Sequence, residues 1–119
     1  TFESAVLINN ESFFDFKPLP NYAQFSSTND IIIQDFNNDK INDIVLVGNM
    51  YHAEIETTRN DSGNGLLLQG IGNGDFKEIS VSESGFFAPG DSKKIISLKS
   101  KNDNLLIIAN NDDRLQIFK

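Results

Sequence analysis

The chain has 119 residues, 39% hydrophobic and 23% charged, with 10 Lys and Arg against 17 Asp and Glu for a formal net charge of −7, and neither Cys nor Trp. That length holds one domain with a core of its own. The charge argues against nucleic acid or an anionic membrane surface as partner, since both need a basic patch, and the missing cysteine excludes disulfides, zinc-thiolate sites and thiol chemistry.

Fourteen Ile, ten Phe, fifteen Asn and eleven Asp against five Ala favour strands joined by turns over helices, so the expected class is all-β. Nine apolar runs bounded by Asn, Asp, Gly or Ser predict strands over 5–8, 13–19, 31–34, 43–47, 66–69, 76–81, 95–98, 105–109 and 115–118. This is the spacing of a sandwich, barrel or propeller. The runs IIIQ, DIVLVG and NLLIIAN do not alternate, which predicts burial on both faces. Phe13, Phe14, Phe16, Phe25, Phe76, Phe86 and Phe87 are expected mostly between sheets. Gly70, Gly72 and Gly74 read as a hairpin, with Asn73-Gly74 as its turn, and not as a phosphate loop, since no helix pattern follows.

The sequence is also self-similar. VLINNESFFDF (6–16) lies over LLLQGIGNGDF (66–76) at an offset of 60, IIIQ over IISL at 64, and DIVLVGN over NLLIIAN at 61. A first repeat thus spans 6–65 with an insertion at 50–64, a second spans 66–114, and 115–119 begins a further strand. Units of four short strands at this period are the signature of propeller blades. His52, in the insertion, is read as a surface residue, and Arg59 with Asp61 as an ion pair pinning that segment.

One motif carries specific chemistry. Asp35, Asn37, Asp39 and Asp43 occupy positions 1, 3, 5 and 9 of a tight loop, with the backbone carbonyl of Ile41 at position 7. Oxygens at this spacing suit a hard cation such as Ca²⁺. Position 12, where an EF-hand carries a bidentate acid, is Leu46 inside a predicted strand, so the loop joins two strands. The same residue types also build metal-free turns by bonding their own backbone. Lys40 at position 6 stands where glycine normally supplies a positive φ, which points to modest affinity.

These residues resemble the FG-GAP, or VCBS, repeat proteins. DFNNDKINDIVLVGN is similar to the family's D-x-[DN]-x-DG-x-x-D followed by an apolar strand, and LLLQGIGNGDFKEI to its paired strands. The resemblance implies an integrin-α-like β-propeller, with Ca²⁺ held by Asp35, Asn37, Asp39, the Ile41 carbonyl and Asp43. The shorter, basic LKSKNDN (98–104) departs from the pattern, and no metal is expected there. About two and a quarter blades fit in the chain, with a two-sheet β-sandwich as the alternative, in which 13–19 would join the sheet formed by 95–118.

Taken together, these readings give a non-enzymatic, calcium-stabilised binding or scaffold module. The resemblance implies an extracellular or cell-surface setting, at the bacterial outer surface or in the periplasm. The expected partners are the rest of a larger propeller or other protein chains, self-association included. No stretch reaches 18 apolar residues and no basic, apolar leader opens the chain, so neither a membrane helix nor an unprocessed leader is expected. No nucleophile motif or acid/base pair stands out, so no catalytic residue is assigned. The alternative function is a calcium-dependent carbohydrate-binding module, for which only Tyr22 and Tyr51 offer tyrosine platforms.

Overall fold

The computed structural model describes residues 3–49 and 63–119. The proposed insertion, with His52, Arg59 and Asp61, lies almost wholly outside them. The described residues are all-β and form three antiparallel sheets. β1 (Ala5–Asn9) and β2 (Phe14–Pro18) make a hairpin. β3 (Asp30–Gln34), β4 (Asp43–Val47), β5 (Leu66–Gly72) and β6 (Asp75–Ile79) make a four-stranded sheet in chain order. β7 (Ser92–Lys99), β8 (Asn104–Asn110) and β9 (Gln116–Phe118) make a third. The strand from 76 stops at Ile79 rather than Val81. Ser80 donates its N–H and hydroxyl to the Glu83 carboxylate, which starts one helical turn, α1 (Val81–Ser84), closed by Gly85 at φ +68°. That is a capping box followed by a left-handed cap.

The four-stranded sheet is the middle layer. One face presents Ile44, Leu46 and Leu68 to Val6, Leu19 and Ala23 from the hairpin side. The other presents Val45, Val47, Ile32 and Leu67 to Phe86, Ala88, Ile95, Ile108 and Phe118. All five residues of β4 are therefore buried. Its continuous apolar run follows from having a neighbour on each side, since every side chain, odd or even, meets another sheet. β3 departs from the expectation. As an edge strand its Ile32 is covered, while Ile31 and Ile33 are 46% and 56% exposed.

The phenylalanines depart further. Phe86 is buried against Phe118, ring centroids 4.9 Å apart, but Phe13, Phe14, Phe16, Phe25 and Phe87 are exposed. The reason for three of them is positional. β1 and β2 form only a two-stranded layer, so Phe14 and Phe16 point away from the middle sheet, and Phe13 precedes them at the turn. The two-sheet arrangement is also not what is observed, because among the described residues β2 pairs only with β1.

Polar bonds fix the layers. Lys17 donates to the Asn73 carbonyl at 2.6 Å and meets Asp75 at 3.1 Å, clasping the hairpin to the β5–β6 turn. On the other side, Asn29 donates to the Ser92 carbonyl, Ser97 to the Gln34 side chain, and the Ile95 N–H to the Asp30 carboxylate, which also meets Lys94 at 3.1 Å. β3 and β7 are thus tied together. Between the middle sheet and the last sheet lies a cleft of about 800 Å³ walled by Val45, Leu67, Ile79, Phe86, Leu106 and Phe118.

Burial by itself would raise the Asp30 carboxyl, but the Ile95 amide and Lys94 outweigh it and hold the group below the usual aspartate range. A carboxyl lowered by folding adds stability above its unfolded pKa, and that stability is lost as pH falls through the folded value. The melting temperature should therefore drop on acidification between those two values. Asp30→Asn should flatten this part of the profile, and identical profiles for both proteins would remove Asp30 as the cause.

Candidate functional site

The loop at 35–43 joins β3 to β4 and is wound by its own side chains. The Asp39 N–H is shared by Asp35 Oδ1 at 3.2 Å and Asn37 Oδ1 at 3.0 Å, the Lys40 N–H goes to Asp35 Oδ2 at 2.9 Å, and the Ile41 N–H to Asp39 Oδ1 at 2.7 Å. Asn37 also donates to Asp39 Oδ2 at 2.8 Å. The bonds accepted by Asn37 and Asp39 are successive Asx turns, in which a short acceptor side chain caps the backbone two residues on, while Asp35 reaches across the loop to residues 39 and 40. Asn38 and Lys40 take φ +63° and +71°. Lys40 thus adopts the conformation that the spacing requires at position 6, a strained one for a residue with a Cβ.

The five candidate residues do not share one environment. Asn37, Asp39 and Ile41 are exposed and Asp35 is half-buried, all on the loop, whereas Asp43 is only 2% exposed. Asp43 Oδ2 accepts the Phe36 N–H at 3.0 Å, closing the base of the loop, and Oδ1 accepts the Gly70 N–H on β5 at 2.9 Å. The aspartate therefore has a structural role that its place in the motif did not reveal, locking the loop onto the next strand. A signal was present in Gly70, since a glycine inside a strand often marks a close backbone approach. A Cβ at Gly70 would collide with the Asn42 carbonyl, so Gly70→Ala should push β5 off the loop and lower the melting temperature.

The donor set suits a hard cation in kind, being oxygen throughout, and Asp35 and Asn37 already aim an oxygen each at one amide. Among the described residues, however, no three His, Asp or Glu side chains converge into a ligand cluster, because the loop carboxylates are turned to backbone amides. A second polar centre lies at the end of β4. Asn49, fully buried, donates to the carbonyls of Gly63, Pro89 and Gly90 and accepts from the Gly63 N–H and the Ser26 hydroxyl. It joins three segments and was not singled out by motif, since a lone Asn after a strand looks like any turn residue.

Among the described residues no helix is long and apolar enough to cross a membrane. No family model, no curated protein and no solved structure matches the chain.

Proposed function

We propose that the protein is a non-enzymatic scaffold or binding module of stacked β-sheets, whose β3–β4 loop takes up Ca²⁺ as a structural brace. The observation that carries the scaffold reading is the middle sheet, covered by a neighbour on each face while the two neighbours keep apolar outer faces. Layers of this kind add to one another without needing a catalytic centre. The tie between β3 and β7, with a cleft between the other strands of the two sheets, suits blades set around an axis. It supports reading the hairpin, the four-stranded sheet and the last sheet as part of a larger propeller resembling the FG-GAP repeats.

In this reading Asp35, Asn37, Asp39, the Ile41 carbonyl and Asp43 hold the cation, which neutralises three carboxylates crowded into nine residues. Lys40 weakens the site by its charge. A site of roughly 10⁻⁴ to 10⁻³ M would still fill at extracellular calcium levels, which favours a secreted or cell-surface setting. Calorimetric titration and thermal melting in about 1–10 mM Ca²⁺ test it. Wild type should release or absorb heat and melt higher with calcium, and Asp39→Ala should do neither. Equal responses in both proteins would remove the site.

A second reading, a calcium-dependent carbohydrate-binding module, draws on Tyr22, 61% exposed, with its ring 5.3 Å from that of Phe25. Exposed aromatics of this kind can stack on sugar rings. Binding on a glycan array that disappears in chelator and in Tyr22→Ala would favour it.

A further inference from the structure

Five carboxylates among the described residues are buried or half-buried: Asp30, Asp35, Asp43, Glu78 and Asp91. The four aspartates all have partners. Asp30 accepts from the Ile95 N–H, Asp35 from two amides of its loop and Asp43 from Phe36 and Gly70, while Asp91 meets Lys93. Glu78, half-buried on β6, takes part in no hydrogen bond or ion pair among the described residues.

This carboxylate lines a cleft of about 310 Å³ at one end of the middle sheet, between the 3₁₀ turn at Asn21–Gln24 and the step from β6 into α1. Leu46 and Leu66 give the cleft apolar surface, and Tyr22, 61% exposed, lines it from the 3₁₀ turn. Glu78 is the one charged lining group among the described residues. Lys77 precedes it in the strand and so points to the opposite face. Ser27 also lines the cleft, and its hydroxyl is buried without a hydrogen-bond partner.

We propose that the cleft binds a primary ammonium group on a short apolar stem, with Glu78 as its counterion. The lining charge selects this chemistry. An anion would face an unopposed carboxylate, and a neutral apolar molecule would bury that carboxylate unpaired. An ammonium group instead forms charge-assisted hydrogen bonds with it, its stem covers Leu46 and Leu66, and the Tyr22 ring offers a face to the cation. The Ser27 hydroxyl can accept a further proton once it turns about its single side-chain bond. No residue of the 35–43 loop lines the cleft, so this site goes beyond the calcium brace and does not depend on it. A free amine and a lysine side chain of another protein share this chemistry.

The test is a nuclear magnetic resonance titration of the full chain in chelator and low salt, so that the calcium site has no part in the outcome. The probes are n-butylammonium, N-acetyl-lysine methylamide and, as the uncharged control, 1-butanol. Both amines should give saturable shifts centred on residues 22–28, 64–67 and 78–81, the segments that line the cleft, and 1-butanol should not. Tighter binding of the lysine amide assigns the site to a lysine of a partner protein, and tighter binding of n-butylammonium to a free amine. Glu78→Gln should weaken binding about tenfold or more, and Tyr22→Ala about two- to fivefold. Because Glu78 has no partner to lose, its variant should melt like wild type without ligand, which separates lost binding from lost folding. The proposal is overturned if neither amine gives saturable shifts, if 1-butanol binds as well as n-butylammonium, or if Glu78→Gln binds like wild type.

Discussion

Asp43→Ala is expected to destabilise the protein by about 3–5 kcal/mol, since hydrogen bonds to a charged acceptor are worth roughly 1.5–3 kcal/mol each and their buried donors would be left unpaired. Two such donors are involved, the N–H groups of Phe36 and Gly70. At this chain length the melting temperature should fall by on the order of 10 °C or more. Asp43→Asn keeps the shape and one acceptor oxygen but turns an amide toward the other N–H, so it should lie between Ala and wild type.

The comparison with Asp39 separates two roles within one motif. Asp39 is exposed and accepts from the Ile41 N–H at the loop surface, so in chelator Asp39→Ala should cost less than about 1 kcal/mol. Asp43→Ala should show nearly its whole effect under the same conditions. Denaturant melts of both variants in chelator check this. If the two variants lost equal stability there, the anchoring role of Asp43 would be wrong.

Asn49 is expected to be about as sensitive. Its amide nitrogen faces three carbonyls, at 2.6 Å for Gly63 and 3.2 Å for Pro89 and Gly90. Asn49→Ala leaves these acceptors and the Gly63 N–H short of partners, at a cost of about 2–4 kcal/mol. Asn49→Asp should be worse at neutral pH, because it places a buried negative charge against carbonyl oxygens. Acidification should recover part of that loss, since the protonated side chain can donate one bond. An Asp variant as stable as wild type at neutral pH would contradict the observed donor arrangement.

Much of the local structure was legible because it depends on neighbours in sequence. Asn73 and Gly74 take φ +56° and +75°, the conformation that an Asn-Gly hairpin turn demands, and the nine apolar runs correspond to the nine strands of the described residues. Lys40 lies at positive φ as the spacing of the aspartates around it requires. The DIVLV run announced burial on both faces, and β4 has it. The IIIQ run looked the same and does not share that burial, because β3 is the edge of its sheet and only its middle isoleucine meets the next layer.

The amino-acid sequence by itself determined the strands, their turns and the winding of the loop at 35–43, since each follows from side-chain type and φ preference over a few residues. Only the tertiary structure decided which carboxylate of that loop is buried, which aromatic residues face water and where the layers end. Those depend on what lies across a sheet. Asp43 meets Gly70 from 27 residues away, and Phe14 lies open because none of the described strands covers the hairpin's outer side. Hydrophobicity gives a side chain the tendency to be buried, but a partner surface is needed to bury it.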